Sequence, residues 1–562
     1  MGRRPSSTPS RPDGAAAPDE AAAGGARRYE RPGVRRPRGP AARLAARAGL
    51  PSVSSRRRRT AWAAVLTGTV AASLLAAPSF SSATPAAPSG VSSDSAPGGS
   101  SGGSSTGGSS AEAADCPDGL KAAATCYAGR DHNGAYYTVA IPDEWNRSLV
   151  VHAHGGPGLG DGSDPERSVG DLERWSVMVE EGYAWVGSSY RRGGYGTRMA
   201  AADTENVRRA FVAQFGEPRR TYLHGQSWGG NVAAKILETY GSSRSADAAP
   251  GTRGVRSGPY DGALMTNGLL AGGSRGYDFR VDLRAVYQFY CQNLPRPSEP
   301  QYPVWQGLPA DSDLTTGEVN ARLQECTGHS SPPAERTAEQ QRKLTDILAV
   351  TGVPEHELAS HLRFSVFTFR DVVHNRLDGR NPFSNKGVRY SGSRDDAALN
   401  AGVERFSADR SAARDLAWDS DLTGRVDVPV LTLHAIDDPT VYVENESAYR
   451  ATLRAAHRGH RLVQSFTRES EHSGLSTAEY ANSVAALDSW VREGRRPTPR
   501  SLAASCARFD EEYGTGCFHD PTYRPAPYSS RVNARPGGHR WPAMTSAQER
   551  RWSKIEGIGI AP

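Results

Sequence analysis

The chain has 562 residues, which is enough to bury a large core and too many for one small domain. Its formal net charge of +6 is unevenly placed. Residues 1–60 carry 15 arginines and 4 acidic residues, whereas the other 502 residues carry 52 basic and 57 acidic side chains. The longer part is slightly acidic and contains no nucleic-acid-binding motif, so we expect no nucleic-acid partner.

An apolar run at 61–77 follows four arginines at 56–59 and precedes a segment rich in Ser, Ala and Pro. This order is typical of a secretory signal, with cleavage expected after Ala83. The run is marginal in length for a membrane span and contains three hydroxyl-bearing residues and a glycine. We therefore expect a secreted protein that meets the membrane only through this segment. An uncleaved anchor on the outer face of the membrane is the alternative.

The chain contains six cysteines, an even number that fits export to an oxidising compartment. Because short loops cost least entropy to close, sequence-local pairs are expected. The predicted disulfides are Cys116–Cys126, Cys291–Cys326 and Cys506–Cys517, and six reduced thiols are the alternative. No cysteine pair has the spacing of a zinc site, and the histidines of "HELASH" are one position too far apart for HExxH. We predict no metal and no cofactor.

Strand-like and helix-like segments alternate in two stretches of the chain, which indicates an α/β fold with a mostly parallel sheet covered by helices on both faces. Helical patterns alone fill the stretch between them. The predicted organisation is a disordered basic leader and signal peptide at 1–83, a Ser/Gly/Pro-rich linker at 84–115, the first part of the core at 116–269, a helical cap insertion at 270–425, the second part of the core at 426–495 and a C-terminal extension at 496–562. The extension is Pro/Gly-rich and is expected to wrap over the surface.

The sequence "GQSWG" at 225–229 has the pattern G-x-S-x-G, between a β-like run and a helical run. At a sharp strand-to-helix turn, glycines two positions either side relieve collisions, so the serine hydroxyl stands clear of the sheet. Ser227 is therefore the candidate nucleophile. An ordinary turn is the alternative interpretation.

A serine hydroxyl needs donors for the oxyanion that forms when it attacks a carbonyl. "HGGPG" at 154–158 follows the first strand of the predicted core. Pro157 has no N–H, so the backbone N–H of Gly156 is one candidate donor and the N–H of Trp228 is the other. His154 is expected to brace this loop.

The acid and the base are expected after later strands. "VLTLHAIDDPTV" supplies two adjacent carboxylates, of which we prefer Asp438 and keep Asp437 as the alternative. His472 follows the last predicted strand and is the candidate general base. The order Ser227, Asp438, His472 is that of the α/β-hydrolases.

Over about residues 130–495 the chain resembles the α/β-hydrolase superfamily. "HGGPG" is similar to the proline iminopeptidase-like branch, and "GYAWVGSSYRRGGYG" with "GQSWGG" is similar to the catalytic domain of prolyl-oligopeptidase-type enzymes. The region after 425 resembles secreted actinobacterial hydrolases described as esterase-like or peptidase-like. The resemblance implies the same fold and the same three roles for Ser227, Asp438 and His472. Glu471 and Ser473 flank the histidine where Gly-His-Ser or Gly-His-Cys is commoner.

These features predict a secreted serine hydrolase that cleaves carboxylic esters through an acyl-enzyme. A secreted serine exopeptidase is the alternative, in which cap carboxylates such as Glu355, Glu357 or Asp371 would bind the substrate's ammonium group. Tyr190, Tyr195 and Trp228 are candidates for an acyl pocket, with a place in the core as the alternative. A non-catalytic binding protein on the same fold is a third hypothesis. The expected partner is a small ester or a short peptide, and the oligomeric state is left open.

Overall fold

The computed structural model describes residues 110–160, 162–241, 258–535 and 547. These residues form one nine-stranded sheet in the order β1-β2-β3-β5-β4-β6-β7-β8-β9. The strands are β1 Glu112–Ala114, β2 Ala124–Arg130, β3 Tyr136–Pro142, β4 Ser148–Ala153, β5 Ala184–Ser188, β6 Arg220–Gln226, β7 Gly262–Thr266, β8 Val430–Ala435 and β9 Leu462–Thr467. The six strands from β5 across to β9 are parallel, whereas β1, β2 and β3 pair antiparallel with their neighbours.

Helices cover both faces of the sheet, which explains why β4, β5, β7 and β8 are buried along their whole length and have continuous apolar sequences. The helices before the cap are α1 Pro165–Arg174, α2 Val177–Glu180, α3 Thr197–Phe215 and α4 Trp228–Tyr240. The α/β architecture with a mostly parallel sheet is the one that the sequence predicts.

The insertion at 270–425 is helical throughout its regular structure. Its helices are α5 Gly273–Gly276, α6 Asp278–Cys291, α7 Thr316–Thr327, α8 Ala338–Thr351, α9 Leu358–Arg363, α10 Asp396–Gly402 and α11 Arg410–Ser420, with π-helical turns at Phe364–Thr368 and Asp371–Arg376. Capping boxes at Thr315 and Thr337 start two of them. We call residues 270–425 the cap.

The remaining helices are α12 Asn445–Ala455, α13 Thr477–Glu493 and α14 Pro499–Tyr513. The C-terminal extension, which the sequence predicts to wrap over the surface, also contributes helix α14 to the packed core. Its residues Leu502, Cys506 and Phe509 are buried in the same hydrophobic cluster as α13. The amphipathic spacing of these three residues gives the extension a packed helix of its own.

The N-terminal boundary also differs from the prediction. Strand β1 lies inside the segment 84–115 that the sequence assigns to a linker. Its three side chains are all exposed, so it carries no hydrophobic pattern, and only backbone pairing with β2 makes it a strand. The predicted leader at 1–83 lies outside the described residues. Among the residues described, no helix is long and apolar enough to cross a membrane.

The register of the sheet aligns the carboxyl ends of the strands that precede the predicted site residues. Ala153 of β4 pairs with Gly225 of β6, and Gln226 pairs with Thr266 of β7. On the other side, Ala435 of β8 pairs with Thr467 of β9. The loops after these strands therefore meet at one edge of the sheet, where open α/β sheets bind ligands.

The structure joins the cysteines as Cys116–Cys126, Cys291–Cys326 and Cys506–Cys517, the pairs that the sequence predicts. The first ties the segment before β2 to that strand, the second ties α6 to α7 within the cap, and the third ties the middle of α14 to the segment that follows it.

The Cys291–Cys326 disulfide spans 35 residues and the Cys116–Cys126 disulfide spans 10. Replacing both cysteines of a pair by alanine should lower the free energy of unfolding by about 4 kcal/mol for the first and about 3 kcal/mol for the second, because the longer loop constrains the unfolded chain more. Denaturant unfolding of the two double variants against the oxidised wild type measures both. A larger loss at Cys116–Cys126 would contradict this order.

Candidate active site

Ser227 stands in a strained turn between β6 and α4. Its φ of 62° and ψ of −130° place a non-glycine residue in a sparsely populated region, which costs on the order of 1–3 kcal/mol. Its N–H donates to the carbonyl of Thr266 at 3.0 Å, and its own carbonyl accepts from the N–H of Leu269 at 2.9 Å. These bonds to the loop after β7 hold the turn in place.

The two glycines of the motif are required because no larger residue fits at either position. A Cβ on Gly225 would lie 2.2 Å from the carbonyl oxygen of Gly229, and a Cβ on Gly229 would lie 2.2 Å from that of Ala153. Both contacts are with backbone and cannot be relieved by moving a side chain. The structure therefore has the sharp strand-to-helix turn that the motif predicts.

The structure brings Asp438 and His472 together. Asp438 is buried at the start of the turn at 438–441 that follows β8, and its Oδ2 lies 2.7 Å from Nδ1 of His472. Its other oxygen, Oδ1, accepts the N–H groups of Thr440 and Val441 at 2.8 and 2.9 Å. The neighbouring carboxylate, Asp437, is exposed to solvent. Of the two candidate acids, the one in contact with the imidazole is Asp438.

His472 is held through its backbone as well as its ring. Its carbonyl accepts from Nε2 of Gln226 at 2.8 Å and from Nδ2 of Asn267 at 2.7 Å. Gln226 precedes Ser227 in the chain, so the loop of His472 is tied directly to the turn of Ser227. Sequence reasoning missed both amides, although Gln226 lies within the G-x-S-x-G motif and Asn267 follows β7 at the edge of the site.

The Asp438 contact determines the state of the imidazole. A carboxylate accepts, so Nδ1 of His472 carries the proton and Nε2 is the basic nitrogen of the neutral ring. Nε2 is buried and has no hydrogen-bond partner within the described parts of the chain, so it is not hydrogen-bonded to Ser227 Oγ here. Such a bond often forms only once substrate is bound.

The predicted oxyanion donors lie beside the nucleophile. A Cβ placed on Gly155 would be 3.7 Å from Cβ of Ser227, so the loop at 154–158 passes alongside the serine. One placed on Gly156 would be 3.9 Å from the indole of Trp228, so the same loop also packs against that side chain. Trp228 opens α4, and the first N–H groups of a helix have no acceptor within it. Such groups can stabilise a developing oxyanion.

His154 makes the contacts of a brace. Its Nδ1 lies 2.6 Å from Oδ2 of Asp171, and its carbonyl accepts from the hydroxyl of Tyr190 at 2.9 Å. Burial alone would raise the pKa of Asp171, but the attraction and hydrogen bonds of His152 and His154 outweigh it and hold that pKa well below its ordinary value. The ionised carboxylate anchors the start of the oxyanion loop.

Two of the three cap carboxylates considered for an ammonium group are already engaged. Glu355 pairs with Arg336 at 2.6 Å on the surface. Asp371 accepts the N–H of Tyr195 at 2.6 Å, while Arg376 donates to the carbonyl of Gly193 at 3.2 Å. This pair braces the loop at 191–196, which in turn hydrogen-bonds to the oxyanion loop. Asp371 therefore supports the loop at 191–196 and does not offer a carboxylate to a substrate's ammonium group.

The three aromatic residues proposed for an acyl pocket are buried and packed together. The ring of Trp228 lies 6.0 Å from those of Tyr190 and Tyr195, measured between centroids. Tyr195 also lines a cavity between core and cap, together with Val372 and Leu416. Tyr190 and Trp228 therefore belong to the core beneath the site, and Tyr195 reaches the cap.

The sheet order, the strained serine after β6 and the paired carboxylate and imidazole on the loops after β8 and β9 define an α/β-hydrolase fold. No protein-family profile matches the sequence, and no curated protein matches it. Among solved structures, the chain is similar to an esterase from Aspergillus oryzae, with 14% identity, coverage of 66% of this chain and 81% of that one, and a TM-score of 0.35. It is also similar to Candida antarctica lipase A, with 13% identity, coverage of 72% and 89%, and a TM-score of 0.37.

Proposed function

We propose that the protein is a serine hydrolase that cleaves carboxylic esters with Ser227, His472 and Asp438. The observation that carries this proposal is the 2.7 Å contact between Asp438 and His472, in a loop tied by Gln226 to the strained turn of Ser227. These three side chains come from distant parts of the sequence. The loops that carry them leave the sheet at the same carboxyl edge, which supports their acting together in nucleophilic catalysis.

In the proposed reaction, Oγ of Ser227 attacks the ester carbonyl while Nε2 of His472 takes the hydroxyl proton. Asp438 stabilises the imidazolium that forms, and the N–H groups of Gly156 and Trp228 stabilise the oxyanion. The C–O bond to the alcohol then breaks, and His472 returns the proton to the leaving oxygen. Water hydrolyses the acyl-enzyme by the same steps, releasing the carboxylic acid and restoring Ser227.

Two of the three cap carboxylates that could bind a substrate's ammonium group are already engaged, and we therefore propose an ester rather than a peptide with a free amino end. An aminopeptidase needs a carboxylate free to bind the substrate's ammonium group. Glu355 is paired with Arg336, and Asp371 is occupied by the backbone of Tyr195.

The protein is proposed to act outside the cell. Three disulfides fit a chain that folds in an oxidising compartment, which supports export through the leader at 1–83.

The test compares p-nitrophenyl acyl esters with aminoacyl p-nitroanilides, using the oxidised protein and a fluorophosphonate probe. We expect labelling of the protein and kcat/KM values higher for the esters by at least about 10²-fold. The reason is that the ammonium group of an aminoacyl p-nitroanilide contributes no binding energy when no carboxylate binds it. Faster cleavage of the anilides would favour the exopeptidase. Absence of both labelling and turnover would contradict a serine hydrolase and favour a binding protein.

A further inference from the structure

The turn after β8, residues 438–441, is held from two sides. Its N–H groups face the carboxylate of Asp438, as described above. Its carbonyls face the cap: Nε2 of His361 lies 2.9 Å from the oxygen of Pro439, and Nη2 of Arg280 donates to the oxygen of Thr440 at 3.3 Å. The cap therefore contacts the turn that carries the catalytic acid, on the side away from the carboxylate.

The hydrogen bonds of His361 fix its tautomer. The Pro439 carbonyl can only accept, so Nε2 of His361 carries the proton. Nδ1 lies 3.1 Å from Nε of Arg280, which can only donate, so Nδ1 is the acceptor. Both ring nitrogens of a fully buried side chain are thus used, one toward the turn and one toward the cap.

His361 remains neutral while it makes these contacts. Burial, followed by repulsion from Arg280, holds its pKa well below the ordinary value of histidine. The imidazole of His472 and the guanidinium of Arg531 from the C-terminal extension act in the same direction, while the Pro439 carbonyl opposes them. The bond to Pro439 therefore persists over the pH range in which an ordinary histidine titrates.

Arg280 is itself held in the cap by aromatic rings. It is buried, with its guanidinium 4.5 Å from the ring centroid of Phe279 and 4.2 Å from that of Phe364. Its Nε–H is thereby aimed at Nδ1 of His361. Helices α6 and α9 together present one donor to each of the two carbonyls that follow Asp438.

We propose that His361, fixed by Arg280, is a positioning residue that aims Asp438 at His472 by holding the Pro439 carbonyl. The inference rests on the proposed function, because it assigns the cap a part in aligning the triad. A packing role would need only an apolar side chain of similar size at 361. A positioning role needs a hydrogen-bond donor directed at Pro439.

The test compares His361→Leu with His361→Gln in the full-length oxidised protein. A glutamine amide can donate to Pro439 and accept from Arg280, whereas leucine fills the space and does neither. We expect His361→Leu to lower kcat for p-nitrophenyl ester hydrolysis by about 10²-fold with little change in KM, because small displacements of catalytic groups have effects of that size. His361→Gln should recover most of the loss.

The pH profile separates positioning from packing. Asp438 faces two imidazoles, that of His472 and that of the buried His434, whose Nε2 lies 3.6 Å from Oδ2 and which is unchanged in both variants. A carboxylate aligned with an imidazole favours its protonated form, so losing the alignment with His472 should move the acid limb of the kcat/KM profile to lower pH in His361→Leu. The low-field proton resonance of the His472 Nδ1–H bonded to Asp438 should weaken or vanish in the same variant. His361→Gln should keep both features of the wild type.

A His361→Leu protein that loses stability but keeps the wild-type acid limb and proton resonance would overturn the proposal. If that variant does not fold, Arg280→Met provides the second arm and should shift the acid limb in the same direction by a smaller amount. An unchanged profile in Arg280→Met would then overturn it. Failure of the proposed function is distinguishable, because a wild type that hydrolyses no ester still allows the His472 resonance to be compared among the variants.

Discussion

Replacing Ser227 by alanine is expected to abolish covalent labelling by a fluorophosphonate and to lower kcat for ester hydrolysis by about 10⁶-fold. The substitution leaves the G-x-S-x-G motif without a hydroxyl group, so no acyl-enzyme can form. The fold should survive, because Ser227 is held by its backbone bonds to Thr266 and Leu269 and alanine retains them. Mass spectrometry of the treated protein and steady-state kinetics measure the two losses.

Ser473→Ala is the matched control, since this exposed serine directly follows the proposed base. It should label and turn over like the wild type. An adduct that maps to any residue other than Ser227, or that persists in Ser227→Ala, would assign the nucleophile elsewhere.

Replacing Asp438 by asparagine is expected to lower kcat by about 10⁴-fold with little change in the folded structure. The amide has nearly the shape of the carboxylate and its oxygen can still accept from the N–H groups of Thr440 and Val441. Its nitrogen is a donor, however, so it favours the His472 tautomer with the proton on Nε2, which cannot accept the serine proton. Steady-state kinetics of the purified variant measure the loss.

Asp437→Asn is the control for that variant, because it removes the adjacent but exposed carboxylate. Its turnover should be close to that of the wild type. Equal losses in the two variants would mean that the charge of the turn, and not the contact of Asp438 with His472, determines activity.

Local sequence patterns predicted much of the fold and the location of the candidate site. Continuous apolar runs mark the strands that helices bury on both faces, such as β4 and β8. Glycines on either side of Ser227 mark a turn where any Cβ would strike backbone. Because parallel strands end at a common edge, the chain order of strands also predicted which loops meet. The leader, the substrate and the roles of the three residues remain predictions.

Other features left no local trace in the sequence. Strand β1 has only exposed side chains, so its place in the sheet comes from backbone pairing alone. Gln226, Asn267 and His361 act through contacts that join residues 78 to 246 positions apart. A polar side chain directed at a distant carbonyl looks the same in sequence as one directed at water. These contacts can therefore be recognised only in the folded structure.

The C-terminal extension has a consequence for association between copies of the protein. Strand β9 ends the parallel side of the sheet, and an unpaired strand there could recruit a strand from a neighbouring molecule. Instead the backbone at 518–520 exchanges hydrogen bonds with Phe466 and Arg468, and Arg496 donates to the carbonyl of Leu462. The Cys506–Cys517 disulfide fastens this covering segment next to the strand that it shields. The C-terminal extension thereby covers the β9 edge of the sheet against strand addition by another copy.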